Sequence, residues 1–164
     1  MTIGYTCQSP QPVIPLNFKT DNLKTEEIFA FFHICHTFID GVDLMQFALK
    51  IRTHAVTIEA YIANQLVGFC ACYMNDYNTQ TAYITHIAIS SEYRGKGYGK
   101  QLLEKTIAIA QEHGFQKLNL EVLKTNLPAL ALYQSHDFTI IEDRNTKYLM
   151  SLHLADKSGW LVGD

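Results

Sequence analysis

A chain of 164 residues with 48% hydrophobic and 18% charged residues has enough apolar content for one sizeable core and lacks the signature of disorder. Its formal net charge of −3 excludes partners held by bulk positive charge, so no nucleic acid is expected and any anion must be gripped by a local site. No apolar run reaches membrane-spanning length and the opening residues lack the regions of a secretion signal, which predicts a cytoplasmic protein with no membrane partner.

Pro10, Pro12 and Pro15 make the opening segment extended. Ile28, Phe29, Phe32, Cys35, Phe38 and Ile39 then recur at helical spacing and predict a helix from Thr25 to about Asp40, stopped by Gly41. Asp21 and Asn22, followed by Glu26 and Glu27, supply capping chemistry at its start. A shorter helix follows from Val42 to about Thr53. Strands are expected over Val56–Ile62, Val67–Met74 and Ala82–Ile89, with turns at Asn64-Gln65 and Asn75–Asn78. Leu102, Leu103, Thr106, Ile107 and Ala110 form one helical face closed by Gly114. A strand at Lys117–Leu123 and a short helix at Leu127–His136, with Pro128 in its first turn, come next. Phe138–Glu142 and Tyr148–Leu154 read as a closing antiparallel pair. The order predicts a single domain over residues 1–164, of α/β (α+β) class with a mixed sheet; in the tail after residue 154, Trp160 is available to pack back onto it.

Of the four cysteines, Cys7, Cys35, Cys70 and Cys72, the last two share one face of a strand and cannot bridge. No CxxC pair is present, so buried free thiols in a reducing compartment are expected rather than a zinc site. His33 and His36 have no third ligand in view, and no metal is expected.

The stretch Ser91–Leu103, SEYRGKGYGKQLL, sets three glycines at alternate positions between a strand and a helix. It is not a Walker A loop, because only three residues separate Gly95 from Gly99 where that loop needs four, and Gln101 follows Lys100. Nor is it a dinucleotide fingerprint, because Lys100 stands where the third glycine belongs. The geometry still aims free N–H groups and the positive end of a helix at one point, with Arg94, Lys96 and Lys100 alongside.

Arg94-x-x-Gly97-x-Gly99 after an Ile-Ala-Ile strand resembles the acetyl-CoA loop of the GCN5-related N-acetyltransferases. Leu120-Glu-Val122, Asn126, Ala129, Leu132-Tyr133 and His136-Asp-Phe138 are similar to the second conserved segment of that family, with Asp137 in place of its usual glycine. The element order suits the family from about Phe18 to Leu154.

The resemblance implies a mostly antiparallel sheet, flanked by helices and splayed at the cofactor site. Acetyl-CoA would be the co-substrate. The amides of Arg94, Gly95, Lys96, Gly97, Tyr98, Gly99 and Lys100 would hold its pyrophosphate, while Ile87, Ala88 and Ile89 would bond its pantetheine arm as an added strand. Asn126 would reach the cofactor from the other arm of the splay. Tyr133 would be the general acid, and an N–H near Ile87 would stabilise the oxyanion. The base is open between His86 and Glu59, with Glu121 a further competitor; if His86 serves, its removal depresses the rate mainly at low pH. Phe31, Phe32, Asp40 and Asp43 are candidates for the amine pocket. The expected reaction moves acetyl by direct attack to a primary amine of a small molecule. A protein N-terminus or lysine, an amino-sugar nucleotide, or an acyl-CoA-binding module without turnover are the alternatives. A homodimer is a family-level expectation only.

Overall fold

The computed structural model describes residues 14–35, 37 and 39–155. The expectations for Pro10, Pro12, Cys7, His36, Phe38 and Trp160 lie outside them. The elements in chain order are β1 (Asn17–Thr20), α1 (Thr25–Ile34), α2 (Leu44–His54), β2 (Val56–Ile62), β3 (Gln65–Asp76) and β4 (Thr81–Ile89). A 3₁₀ turn at Ser91–Tyr93 leads into α3 (Tyr98–Glu112), followed by β5 (Lys117–Leu123), α4 (Leu127–Ser135), β6 (Thr139–Arg144) and β7 (Lys147–His153).

The seven strands form one sheet in the order β1-β2-β3-β4-β5-β7-β6. Every neighbouring pair is antiparallel except β4 and β5, which are parallel and joined by α3, as a crossover connection requires. This is the mixed, mostly antiparallel sheet flanked by helices that the sequence predicts.

Two apolar layers sandwich the sheet. On one face Ile28, Phe31 and Phe32 of α1 and Ala48 and Ile51 of α2 pack against Phe69 and Ala71 of β3. On the other, Leu102, Leu103, Ile109 and Ala110 of α3 and Tyr133 of α4 meet Ile58, Cys70, Cys72, Ile84, Leu118 and Leu120. The alternation along β3 therefore sends Phe69 and Ala71 one way and Cys70 and Cys72 the other. Cys35, Cys70 and Cys72 are free and buried, and burial pushes the Cys70 thiol up to about 12.

α1 ends six residues before the predicted stop. The N–H of Thr37 bonds the carbonyl of Phe32 at 2.8 Å, a six-residue closure that ends the helix although apolar residues continue beyond it. At α2, Asp43 is the N-cap, its Oδ1 accepting from the amides of Met45 and Gln46 at 2.9 and 3.2 Å. The turn between β2 and β3 falls at Ala63-Asn64, both at positive φ, one residue earlier than predicted. β1 is a short edge strand on β2 inside the segment predicted only as extended.

Gly68 is required by packing. A Cβ there would lie 2.4 Å from Ile89 Cδ1 and 2.7 Å from the Ala88 carbonyl oxygen, so β3 approaches the end of β4 only because this position has no side chain.

Candidate active site

β4 and β5 part company midway. Their parallel pairing runs from Thr81 opposite Lys117 to Ile84 opposite Leu120 and goes no further, although β4 continues to Ile89 and β5 to Leu123. The departure begins at a bulge: Ile84 pairs with Cys72 and His86 with Ala71, leaving Thr85 as an extra residue on β4. Beyond it, Thr85 to Ile89 have no strand on their β5 side, and a wedge opens between the two strands.

Two cavities fill the wedge. The smaller, about 450 Å³, is lined by Ile87, Ala88, Ile89, Arg94, Gly99, Asn126, Pro128, Ala129, Leu132 and Tyr133. The larger, about 670 Å³, includes His86, Ile87, Asn126, Ala129 and Tyr133 together with Asp40, Glu121, Thr146 and Lys147. Ile87, Asn126, Ala129 and Tyr133 thus belong to both, and the two spaces meet at Tyr133. Both volumes lie in the range of small-molecule sites.

The glycine loop closes the mouth of the smaller cavity. Gly95 and Gly97 hold φ of 75° and 82°, a conformation that costs an L side chain about 1–2 kcal/mol, and Gly97 is the residue from which α3 starts. Gly99 has no such strain; a Cβ there would meet only Ile89 Cγ1 at 3.8 Å, and the missing side chain leaves room in the cavity. The Arg94 guanidinium is pinned to the end of β4, its Nε donating to the Ile89 carbonyl at 2.9 Å. Tyr98 turns its side chain into the core, so only its backbone faces the loop. Lys96 and Lys100 are exposed beside it.

On the opposite wall, Asn126 caps α4, its Oδ1 accepting from Ala129 N at 3.3 Å, which fixes the residue at the junction of the cavities. Asp137 takes φ 68°, the left-handed conformation its place after α4 demands. Burial raises Tyr133 above the usual phenol range, so it is protonated at physiological pH.

The three carboxylate and imidazole candidates fare differently. Glu59 is fully buried and absent from both linings. Its Oε1 accepts from Asn22 N at 2.9 Å, Leu23 N at 3.3 Å and Thr57 Oγ1 at 2.6 Å, tying the approach to α1 onto β2. His86 lines the larger cavity but sits against Phe32 and Phe69, each ring centroid 5.0 Å away, with Nε2 enclosed and unpartnered. Burial lowers its pKa to about 4, so it is neutral at physiological pH and a feeble acceptor of an ammonium proton. Glu121 faces the larger cavity, its Oε1 held by the Tyr83 hydroxyl at 2.9 Å and by Arg144 Nη1 at 3.4 Å.

Asp40 lines the larger cavity, whereas Asp43 is consumed as a helix cap and Phe31 and Phe32 belong to the core. Tyr83, Arg144 and Lys147 escaped the sequence reading. Alternation along β5 does put Asn119 and Glu121 on one face, but nothing in a single strand says that Tyr83 and the β6–β7 hairpin meet them there. Among the described residues no group of three or more potential metal ligands occurs.

The site is a cleft in a mixed sheet that parts between two parallel strands, with a glycine-turned helix start at the mouth of the gap. The chain belongs to the acetyltransferase (GNAT) family, whose pattern matches residues 23–138. It is 38% identical over 85 residues to the [ribosomal protein bS18]-alanine N-acetyltransferase of Haemophilus influenzae, covering 52% of this chain and 56% of that one. The chain spans about half the length of the curated relatives it matches. Its fold is that of the ribosomal-protein-S18-alanine N-acetyltransferase from Escherichia coli, at a TM-score of 0.72 with 22% identity, over 86% of this chain and 95% of that one. It is also that of a GNAT family acetyltransferase from Elizabethkingia anophelis with acetyl-CoA bound, at 0.67 with 17% identity, over 85% and 98%.

Proposed function

We propose that the protein transfers acetyl from acetyl-CoA to a primary amine of a small molecule by direct attack in a ternary complex. The observation that carries this reading is the meeting of two cavities at Tyr133, one under the glycine loop and one lined by carboxylates. The smaller cavity suits the donor: β4 backbone from Ile87 to Ile89 that no strand covers on its β5 side for the pantetheine, and the loop amides of residues 94–100 with Arg94 for the pyrophosphate. The relative with acetyl-CoA bound supports that choice.

The amine enters from the larger cavity. Glu121 is the base this reading favours over His86 and Glu59, because Tyr83 and Arg144 both engage Oε1 and leave Oε2 for the amine's proton, directly or through water. The neutral amine attacks the thioester carbonyl, and the backbone N–H near Ile87 stabilises the oxyanion. The C–S bond then breaks, and Tyr133 donates its proton to the leaving thiolate. A cavity of about 670 Å³ suits a small acceptor. The likeness to an enzyme acting on a ribosomal protein favours a second reading, a protein N-terminus.

Release of the CoA thiol, followed with DTNB across a broad amine panel, tests the assignment. Turnover is expected, and Tyr133→Phe should lower kcat by about 10²–10⁴-fold. Acetyl-CoA binding without turnover on any amine would leave a binding module instead. Tight binding of ATP with none of CoA, read by calorimetric titration, would remove the family chemistry altogether.

A further inference from the structure

The larger cavity carries charge of both signs, with Lys147 the lysine among its lining residues, whereas the neighbouring cations Arg144 and Lys124 do not line it and are paired. On the β6–β7 hairpin Arg144 is engaged by Glu121 and Glu142, at 3.4 and 3.1 Å. Lys124, at the end of β5, is held by Asp143 at 2.6 Å. Lys147 lines the cavity and, among the described residues, has no carboxylate within 4.0 Å.

The sheet register places this lysine. Glu121 is opposite Leu149 and Leu123 is opposite Lys147, so Glu121 and Lys147 project from the same face of the β5–β7 ladder as diagonal neighbours. Such neighbours stand about 7–8 Å apart at the backbone. The carboxylate and the ammonium nevertheless do not pair, since Glu121 is turned to Tyr83 and Arg144. Glu121 and Lys147 line the same cavity, whose wall also holds the hydroxyl-bearing residues Thr37 and Thr146. Lys147 is partly buried in the cavity wall with no carboxylate paired to it among the described residues, so its ammonium is available to an anionic group of a ligand. A charge-assisted hydrogen bond there is stronger than a neutral one.

We propose that the acceptor carries an anionic group, a carboxylate or an ester phosphate, a few bonds from its amine, and that Lys147 is the residue that selects it. The ammonium end lies toward Glu121 and Asp40, and the anion lies toward Lys147. This places amino acids and other amino-carboxylates ahead of polyamines and neutral amino sugars, whose further ammonium or hydroxyl groups would leave Lys147 unpaired. The inference rests on the acetyltransferase reading above and adds to it the charge type of the substrate.

Matched acceptors test it: glycine, β-alanine and γ-aminobutyrate against their amides, and the amidated dipeptides Ala-Glu and Ala-Gln. The expected result is a kcat/KM for each preferred carboxylate about tenfold or more above its amide, the range of one hydrogen-bonded ion pair. Lys147→Met should collapse that ratio toward one and Lys147→Glu should invert it, mainly through KM. CoA affinity, measured by titration, certifies that each variant is folded. A preference confined to Ala-Glu over Ala-Gln would support the anion as a peptide side chain rather than a free amino acid. Amides turned over as well as carboxylates, or a ratio untouched by Lys147→Met, would overturn the proposal and leave the acetyltransferase reading standing. No turnover with any amine would overturn both.

Discussion

His86 shows how neighbours decide what a side chain can do. In the sequence it is a histidine on the cofactor strand, well suited to take a proton. In the fold it is wedged against Phe32 and Phe69, and its pKa falls to about 4 from an ordinary 6.5. Between those values the unfolded chain binds a proton that the folded chain refuses, so stability rises with pH across that window. The contribution is complete above pH 6.5 and is lost as pH falls to about 4, amounting to at most about 3 kcal/mol. Urea denaturation of the parent and of His86→Gln from pH 4 to 7 should therefore give a steeper pH dependence for the parent. The same value means that the rate between pH 6 and 9 carries no inflection from His86; a His86-dependent inflection near 6.5 would contradict the burial. Glu59 illustrates the opposite case, a carboxylate spent on backbone amides. Its replacement by Ala should cost about 1–3 kcal/mol, read from the denaturation midpoint, because Asn22 N and Leu23 N lose their acceptor.

Elements whose signals are local were legible in the chain. β5 has the predicted bounds and α4 begins at the predicted Leu127. Signals that depend on another element were not. The early end of α1 is set by a backbone closure after Cys35, and the Glu121–Tyr83–Arg144 group exists only once β5 is registered against β4 and β7. The glycines of the loop also separate into two kinds only in three dimensions. Gly97→Ala should destabilise the start of α3 by about 1–2 kcal/mol, because its φ of 82° is strained for a side chain. Gly99→Ala should leave the melting temperature near that of the parent and weaken CoA binding instead, since its methyl would enter the cavity. Thermal melts and CoA titrations of the two variants distinguish these outcomes.

For the whole molecule, the net charge of −3 coexists with a site proposed to hold a highly charged anion. Local geometry resolves this: loop amides, the α3 start and Arg94 converge where β4 ends, and no acidic side chain is among the residues lining the cavity there. A ligand bound across the gap stabilises the fold by mass action, about 2.7 kcal/mol at a hundredfold excess over its Kd. Addition of CoA should raise the melting temperature in a concentration-dependent way, and Gly99→Ala should shift that dependence to higher CoA.

The four-residue pairing of β4 with β5 has a consequence for how the molecule comes apart. It is the only ladder joining the β1–β4 and β5–β7 blocks of the described sheet, and it is the shortest contact between two strands of that length. Sub-global opening should follow this seam, with each block keeping its own antiparallel ladders while the two separate. Amide hydrogen exchange would then show the residues of the β4–β5 ladder exchanging sooner than the centres of β3 and β7, and CoA should slow them preferentially. The cleft and the line of cooperative weakness are one feature, so an occupant of the cleft acts as a suture.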